Sequence, residues 1–567
     1  MSRRFDVLFG GAAALLSLVA GMTVIRVWDA DLRVPFVYSG DGVLNLTVIK
    51  TVIEHGWYLQ NPDLGVPNGQ ELYDYPVASG ETLNLVLFWL GGLFTNDAAL
   101  VMNLFFLLTF PLAAVAAYVV LRLLPVSPPV ALVGAVLYAL LPYHFLRGEL
   151  HLFLSAYYAV PLGAYLVIAV LRGDPLFGRW RRTVLTAGIC LVVAAASGSF
   201  YYSAFTVVLV ATAALLVLFA RRERAALVSG AGVVGLILAF SLIQLAPTIV
   251  YRVAHGTNDE VAKRYWFESE NYSLRLTNLV LPIEHHRIGG IARRRDEYVQ
   301  QVPQSEGRMA SLGLVGAIGF LWLLGVVLAA ALGAGRRYSL GLHAGLGAVT
   351  LVAFLFATSG GLSTLAGVIW PQIRAWNRLS IFIAFFSFAA VALLLESLRR
   401  RIAVQAFAAV LGAVLVVGVL DQTTSAYVPP YDSTQELYAG DGRFVQSLAG
   451  QLPPGASVVE LPYEPFPEPS MPPLQDPYEP AKPYVQSSGL RWSWGAMRGR
   501  PSDWPATIAG KAASDVVAAS REAGFSALLI DRSRYQAPPG GAETDFKALL
   551  GDPLLVGAGD RWVAYQL

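Results

Sequence analysis

The chain has 567 residues, 55% hydrophobic and only 14% charged, with a mean hydropathy of +0.53. A soluble domain carries about 25% charged residues, so this composition excludes an ordinary cytosolic enzyme, a disordered chain and a coiled coil. The 41 Lys and Arg against 39 Asp and Glu leave a net charge of +2, no footprint for nucleic acid, and the single cysteine, Cys190, excludes a disulfide framework and a cysteine-based zinc site. What remains is an integral membrane protein.

A helix crosses about 30 Å of hydrocarbon with about 17–25 apolar residues. In chain order such runs fall near 6–27, 97–121, 128–146, 152–171, 183–197, 199–220, 225–250, 309–333, 340–358, 379–397 and 402–420, about eleven spans in all. The first, after Arg3 and Arg4, is read as a retained helix rather than a cleaved signal. The run Leu83 to Phe94 is too short to span and reads as a re-entrant or interfacial helix. Ser197-Gly198-Ser199 breaks two neighbouring spans and predicts a turn.

Positive charge marks the cytoplasmic side. Alternate connections carry Arg3/Arg4, Arg122, Arg172 with Arg179/Arg181/Arg182, Arg221/Arg222/Arg224, Arg336/Arg337 and Arg399/Arg400/Arg401. The N-terminus is therefore expected inside, and the segments 28–96, 143–151 and everything after about 421 outside. The segment 251–308, also expected outside, breaks the rule with Arg252, Lys263, Arg264, Arg275, Arg287, Arg293, Arg294, Arg295 and Arg308. With clear spans on both sides, these cations are better read as serving an anion than as a miscounted helix.

The composition changes beyond residue 421. Arg443 to Leu452 reads as helix, Ala456 to Leu461 as strand, Ser514 to Gly524 as helix and Ala527 to Asp531 as strand. Pro553 to Val556 and Arg561 to Gln566 read as a terminal hairpin. The fold expected is a polytopic all-α membrane domain over 1–421, with outer loops 28–96 and 251–308, followed by a small soluble α/β domain over 422–567.

The first outer segment holds most of the polar chemistry: Tyr38-Ser39-Gly40-Asp41-Gly42, Glu54-His55-Gly56-Trp57-Tyr58, Asn61-Pro62-Asp63 and Asn68 to Pro76 with Tyr73-Asp74-Tyr75. A connection of this length is functional or disordered, and its aromatic content argues against disorder. Acids and amides bond hydroxyls while the rings of residues such as Trp57 and Tyr75 cover the apolar face of a sugar.

A first helix, a long outer loop opening on an acid, many further spans and a C-terminal outer domain resemble the GT-C superfamily of membrane glycosyltransferases, with Ser39-Gly40-Asp41-Gly42 in the place of the loop-one acidic motif. The resemblance covers about residues 1–421. The usual pair of adjacent acids is missing, because Asp41 is flanked by glycines. The chain also resembles bacterial membrane proteins loosely described as sugar transferases, through Tyr73 to Pro76, Arg374-Ala375-Trp376-Asn377-Arg378 and Leu461 to Glu468. The resemblance implies transfer of a hexosyl or pentosyl group from a polyprenyl-phosphate-linked donor to a glycan, lipid or protein acceptor of the cell envelope, outside the membrane. It makes Asp41 the base that takes the acceptor's proton; the alternative is an ordinary Asp-Gly turn. Asp74 is the second acid, for a sugar hydroxyl or for local loop order.

A departing phosphate needs cations. Arg374 and Arg378, four apart, would point the same way on a helix and suit phosphate oxygens; the alternative is snorkelling at a helix end. Trp376 or Asn377 would then reach the sugar. Arg293-Arg294-Arg295 is a second set, for phosphate or for anionic lipid head groups. Glu149 and His151, on a short outer loop, are expected at the same cavity, with Glu284 and His285 as further substrate contacts. Adjacent histidines at 285 and 286 show no metal-ligand spacing. No metal ligand is assigned, and a divalent cation stays open as a cofactor. Trp492 and Trp494 among arginines fit either glycan binding or packing onto the membrane part. No nucleotide phosphate loop, serine elbow or zinc-protease motif is present. The rival reading is a transporter or flippase of lipid-linked glycans, which the scarcity of ionisable residues in mid-span disfavours.

Overall fold

The computed structural model describes residues 3–302, 305–333, 341–467 and 476–567. Arg336, Arg337 and Glu468, used above, lie outside them. The chain is a polytopic helical membrane protein with a small C-terminal sheet. Among the described residues nine helices are long and apolar enough to span: Arg4–Val24, Ala98–Arg122, Pro128–Arg147, Leu152–Arg172, Tyr201–Arg221, Arg224–His255, Gly313–Ala331, Trp376–Arg399 and Val404–Gln422. The other two expected spans are helices too, but shorter: Trp180–Ala195 has 16 residues and Gly341–Ala357 has 17. The expected interfacial piece is the 11-residue helix Thr82–Gly92.

Local chemistry starts and packs these helices. The Asp97 carboxylate caps Ala98–Arg122 by accepting from Leu100 N at 3.0 Å. Glycines let backbones meet: a Cβ on Gly319 would lie 2.3 Å from Ser387 O, and one on Gly347 would lie 2.7 Å from Leu323 O. Association in lipid relies on such close approach, since the hydrophobic effect drives burial of side chains from water and not from lipid.

The expected alternation of sides appears as contacts. Asp6 pairs with Arg122 at 2.7 Å, Arg172 donates to Leu123 O, Arg221 donates to Leu171 O, and Ser127 N donates to Glu396, which also pairs with Arg399. These connections gather at one end of the bundle. The loops 28–96 and 251–308 leave from the other end.

The C-terminal sheet has five strands in the order Arg491–Trp492, Ser457–Leu461, Ala527–Asp531, Trp562–Gln566 and Leu555–Val556. The first three run parallel and the last two join antiparallel. Alternation along each strand gives it two buried faces. Val459, Leu461, Leu528, Ile530, Val563 and Tyr565 pack with the helices Ala513–Glu522 and Glu543–Leu550. Val458, Ala527, Leu529 and Ala564 turn instead to the core that is continuous with the membrane helices. Loop one joins this sheet edge through Gly65 N to Trp494 O at 2.8 Å and Trp492 N to Asp63 O at 2.8 Å. The tryptophans read as glycan-binding candidates are therefore core: Trp492 is fully buried and its Nε1 donates to Ser487 Oγ, and Trp494 is buried as well.

Candidate functional site

Loop one is tied down before it reaches Asp41. Asn103, on the second long helix, donates to Leu32 O at 2.9 Å and Val34 O at 2.8 Å and accepts from Phe36 N. Glu149 then accepts from Val37 N at 3.1 Å. The chain turns at Gly40, whose φ of 52° favours glycine, and the helix Asp41–His55 begins. Asp41 thus sits in the first turn of a helix that is buried along most of its length.

A cavity of about 360 Å³ opens beside it at the loop end of the bundle. Its wall includes Asp41, Asn45, Asp74, Tyr75, His151, Ser199, Tyr201, Arg252, Arg264, Gln372, Arg374, Arg378 and Tyr478. Four spans, both outer loops and the C-terminal portion all contribute. The Asp41 side chain is 49% exposed and its Oδ2 lies 3.8 Å from His151 Nε2. Although it opens to the cavity, the protein packed around its other sides displaces water and pushes its carboxyl up to about 6; Arg378 opposes the shift, and Glu306 and Asp476 reinforce it. Burial, with Arg147 and Arg378 nearby, pushes His151 down to about 3, so the imidazole is neutral.

Arg374 and Arg378 both reach this wall, though not from an α-helix. Arg374 comes from an irregular stretch after Pro371, and Arg378 from the single 3-10 turn Trp376–Leu379, because Ala375 is out of the helical region at φ −94°, ψ 74°. Arg378 lies over the Tyr201 ring, 4.2 Å from its centre. Arg374 pairs with Glu268 at 2.9 Å and lies over Tyr272. Trp376 does not turn to the cavity: it is buried against Phe356 and donates to Ile373 O. Asn377 is also buried, and its amide finds no partner among the described residues.

Behind this wall stands an acid that the sequence reading did not single out. Glu306 accepts from Arg147 at 2.7 Å, lies 3.4 Å from Arg378 and 3.9 Å from His151. Burial opposes its ionisation, but Arg378 and Arg147 outweigh that and hold it well below the usual carboxylate range. One carboxylate between two guanidiniums leaves an excess positive charge. The signal for Glu306 was faint: a lone acid at the end of a cation-rich loop, with no motif around it.

The other expected residues divide. Asp74 and Tyr75 line the cavity, and Asp74 gives its carboxylate to Arg500 at 2.6 and 2.8 Å, with Arg252 Nε 3.8 Å away. Of the cations in the second loop, Arg252 and Arg264 line the wall. Arg295 is buried and donates to Arg308 O, while Arg293 and Arg294 are exposed. Glu149 is buried beneath loop one rather than in the wall. Trp57 packs on Tyr58 away from it. Glu284 and His285 stay in the second loop, where His285 O accepts from Thr424. Among the described residues, one group brings three metal-ligating atoms within 4.8 Å, Glu54, His55 and Asp63, and none of these lines the cavity.

The fold has solved counterparts. ArnT from Cupriavidus metallidurans bound to undecaprenyl phosphate superposes with a TM-score of 0.54 at 12% identity, covering 100% of this chain and 98% of that chain. Its apo state gives 0.52 at 12% identity, with 99% and 97% covered. The chain has the GT-C fold. In this chain loop one and Tyr478 of the C-terminal portion both line the cavity, so the polar wall is assembled from both ends of the sequence. The apo oligosaccharyltransferase of Archaeoglobus fulgidus overlaps at 0.49 and 14% identity, over 94% of this chain and 70% of that chain. No family model matches the chain, and no curated protein matches it.

Proposed function

We propose that the protein is a membrane glycosyltransferase that moves a sugar from a polyprenyl-phosphate donor to an acceptor hydroxyl on the extracytoplasmic face, with residues 1–421 as the catalytic part and 422–567 as an outer module. One observation carries the reading: an open carboxylate, Asp41, shares a cavity with the guanidiniums of Arg374 and Arg378. The acceptor oxygen attacks the anomeric carbon, the bond from that carbon to the phosphate oxygen breaks, and the acceptor's proton passes to Asp41. Attack opposite the leaving group inverts the anomeric centre. A carboxyl near 6 is ionised at neutral pH yet basic enough to accept the proton as it is released. The leaving polyprenyl phosphate gains negative charge, which the guanidiniums of Arg378 and Arg374 stabilise. Arg378 is held by Tyr201 on one side and only loosely by Glu306 at 3.4 Å, so it can turn a fork of donors to phosphate oxygens.

The arginine-bearing connections at the far end of the bundle support a cytoplasmic placement of that end, with the N-terminus, and an extracytoplasmic cavity. ArnT, whose fold the chain shares, was solved with undecaprenyl phosphate, which supports a lipid-borne donor. The test is incubation of the purified protein in lipid discs with radiolabelled polyprenyl-phosphate sugars and envelope acceptors, with and without chelator. Label appearing in the acceptor is the expected result. Donor that binds and is never cleaved across the whole panel would favour the transporter instead.

A further inference from the structure

The C-terminal portion does more than cover the cavity. Its segment Asp476-Pro477-Tyr478 enters the site: Tyr478 is buried in the wall, and Asp476 Oδ2 accepts from the backbone N–H of Gly40, the residue before Asp41. The segment is fixed from the sheet side. Arg534, just past the strand Ala527–Asp531, donates to Asp476 O at 2.9 Å and to Glu464 at 2.9 Å, and its side chain is 5% exposed. Asp476 Oδ1 accepts from Tyr478 N at 3.2 Å. A continuous chain of contacts therefore runs from the sheet through Arg534 and Asp476 to the first turn of the helix that carries Asp41.

We infer that Asp476 is the positioning residue for Asp41, setting the start of its helix through the Gly40 N–H and adding a negative charge beside the carboxyl. The inference rests on the transfer reading for its kinetic consequence. Gly40 makes such a hold useful, because its left-handed φ is one that glycine leaves as readily as it adopts. The groups that face Asp41 are His151 from the Arg147–Leu152 turn, Glu306 from the second outer loop, Arg374 and Arg378 from the stretch before the Ser380–Arg399 helix, and Asp476 from the C-terminal portion. His151 is neutral, so the balance lies between two arginines and two acids. Removing the charge of Asp476 leaves the arginines less opposed and favours ionised Asp41.

Two variants separate position from charge. Asp476→Asn keeps an oxygen for Gly40 N–H and loses the charge; the acid limb of the kcat profile should move to lower pH, with donor KM within about 2-fold of wild type. Asp476→Ala loses both and should lower kcat about 10- to 100-fold, since small misplacements of a reacting group cost that much. A direct readout needs no turnover: the Asp41 carboxyl is titrated by infrared difference spectroscopy, with Asp41→Asn as the blank, and its midpoint should fall in Asp476→Asn. An unmoved midpoint, or wild-type kcat in Asp476→Ala, overturns the inference. If wild type transfers no sugar while the infrared midpoint still moves, the positioning role stands and the transferase reading fails.

Discussion

Asp74 and Arg500 are joined by two hydrogen bonds, Arg500 Nε to Asp74 Oδ2 at 2.6 Å and Nη2 to Oδ1 at 2.8 Å, across 426 residues of chain. The Asp74 side chain is buried and that of Arg500 nearly so, and Arg500 also donates to the carbonyls of His255 and Gly256 at the end of the helix Arg224–His255. One guanidinium thus ties loop one, that helix and the C-terminal portion together at the cavity wall. Arg500→Ala should cost about 3–5 kcal/mol, the usual cost of leaving one member of a buried pair uncompensated. Thermal unfolding in detergent reads it. A loss under about 1 kcal/mol would show that Asn258, which donates to Asp74 Oδ2 at 3.3 Å, and Arg252 hold Asp74 without Arg500.

Asp41→Asn should abolish transfer while leaving donor binding within a few-fold of wild type, because the amide keeps the shape and cannot take a proton. In wild type the rate depends on the ionised carboxylate, so with its carboxyl pushed up to about 6 the rate should rise with pH through that value and level off above it. A flat profile from pH 5 to 7 would remove Asp41 from the base role; so would retained turnover in Asp41→Asn.

The sequence exposes those features that repeat. Apolar runs locate the nine helices of spanning length among the described residues, and two shorter ones, because lipid demands an unbroken apolar length, and arginine asymmetry reproduces the shared end that Asp6–Arg122 and Glu396–Arg399 mark. A short unbroken apolar run located the strand Ala527–Asp531 to the residue. Asp41, Asp74 and Tyr75 were legible in the polar, aromatic first outer loop, and His151, Arg374 and Arg378 as charged or titratable residues beside spans, and they meet in one cavity. Glu306, Asp476 and Arg500 were not legible, since their roles come from contacts across 72 to 436 residues of chain. Span length also cannot be read to the residue: the arginines at 181 and 182 lie inside the helix Trp180–Ala195, leaving its apolar part short.

Arg378→Ala should raise donor KM about 10- to 100-fold, the loss expected for a charge-assisted bidentate contact, and lower kcat as well, because the same guanidinium faces the charge that grows on the leaving phosphate. Arg378→Lys should recover little of it, because a lysine can neither present a planar fork nor stack flat over Tyr201 as the guanidinium does at 4.2 Å. Donor KM and equilibrium binding of polyprenyl phosphate both report on this. Wild-type affinity in Arg378→Ala would make its role one of packing against Tyr201 and Glu306.

Glu149 gives a pH signature that belongs to folding rather than to transfer. It is buried beneath loop one, accepts from Val37 N at 3.1 Å, and its other oxygen has no partner among the described residues. Burial pushes its carboxyl up to about 8, against the backbone donors of Val37 and Phe36. The folded protein therefore holds it protonated at neutral pH, while the unfolded chain ionises it near the ordinary glutamate value. The folded state binds the extra proton, so this contribution to stability is full below the ordinary value and is lost as pH rises through about 8, at up to about 1.4 kcal/mol per pH unit. Glu149→Gln keeps an oxygen for Val37 N–H and cannot ionise. Its melting temperature should be less dependent on pH between 5 and 8 than that of wild type, and higher than wild type at pH 8. Parallel melting curves for the two proteins across that range would place the Glu149 carboxyl at its ordinary value.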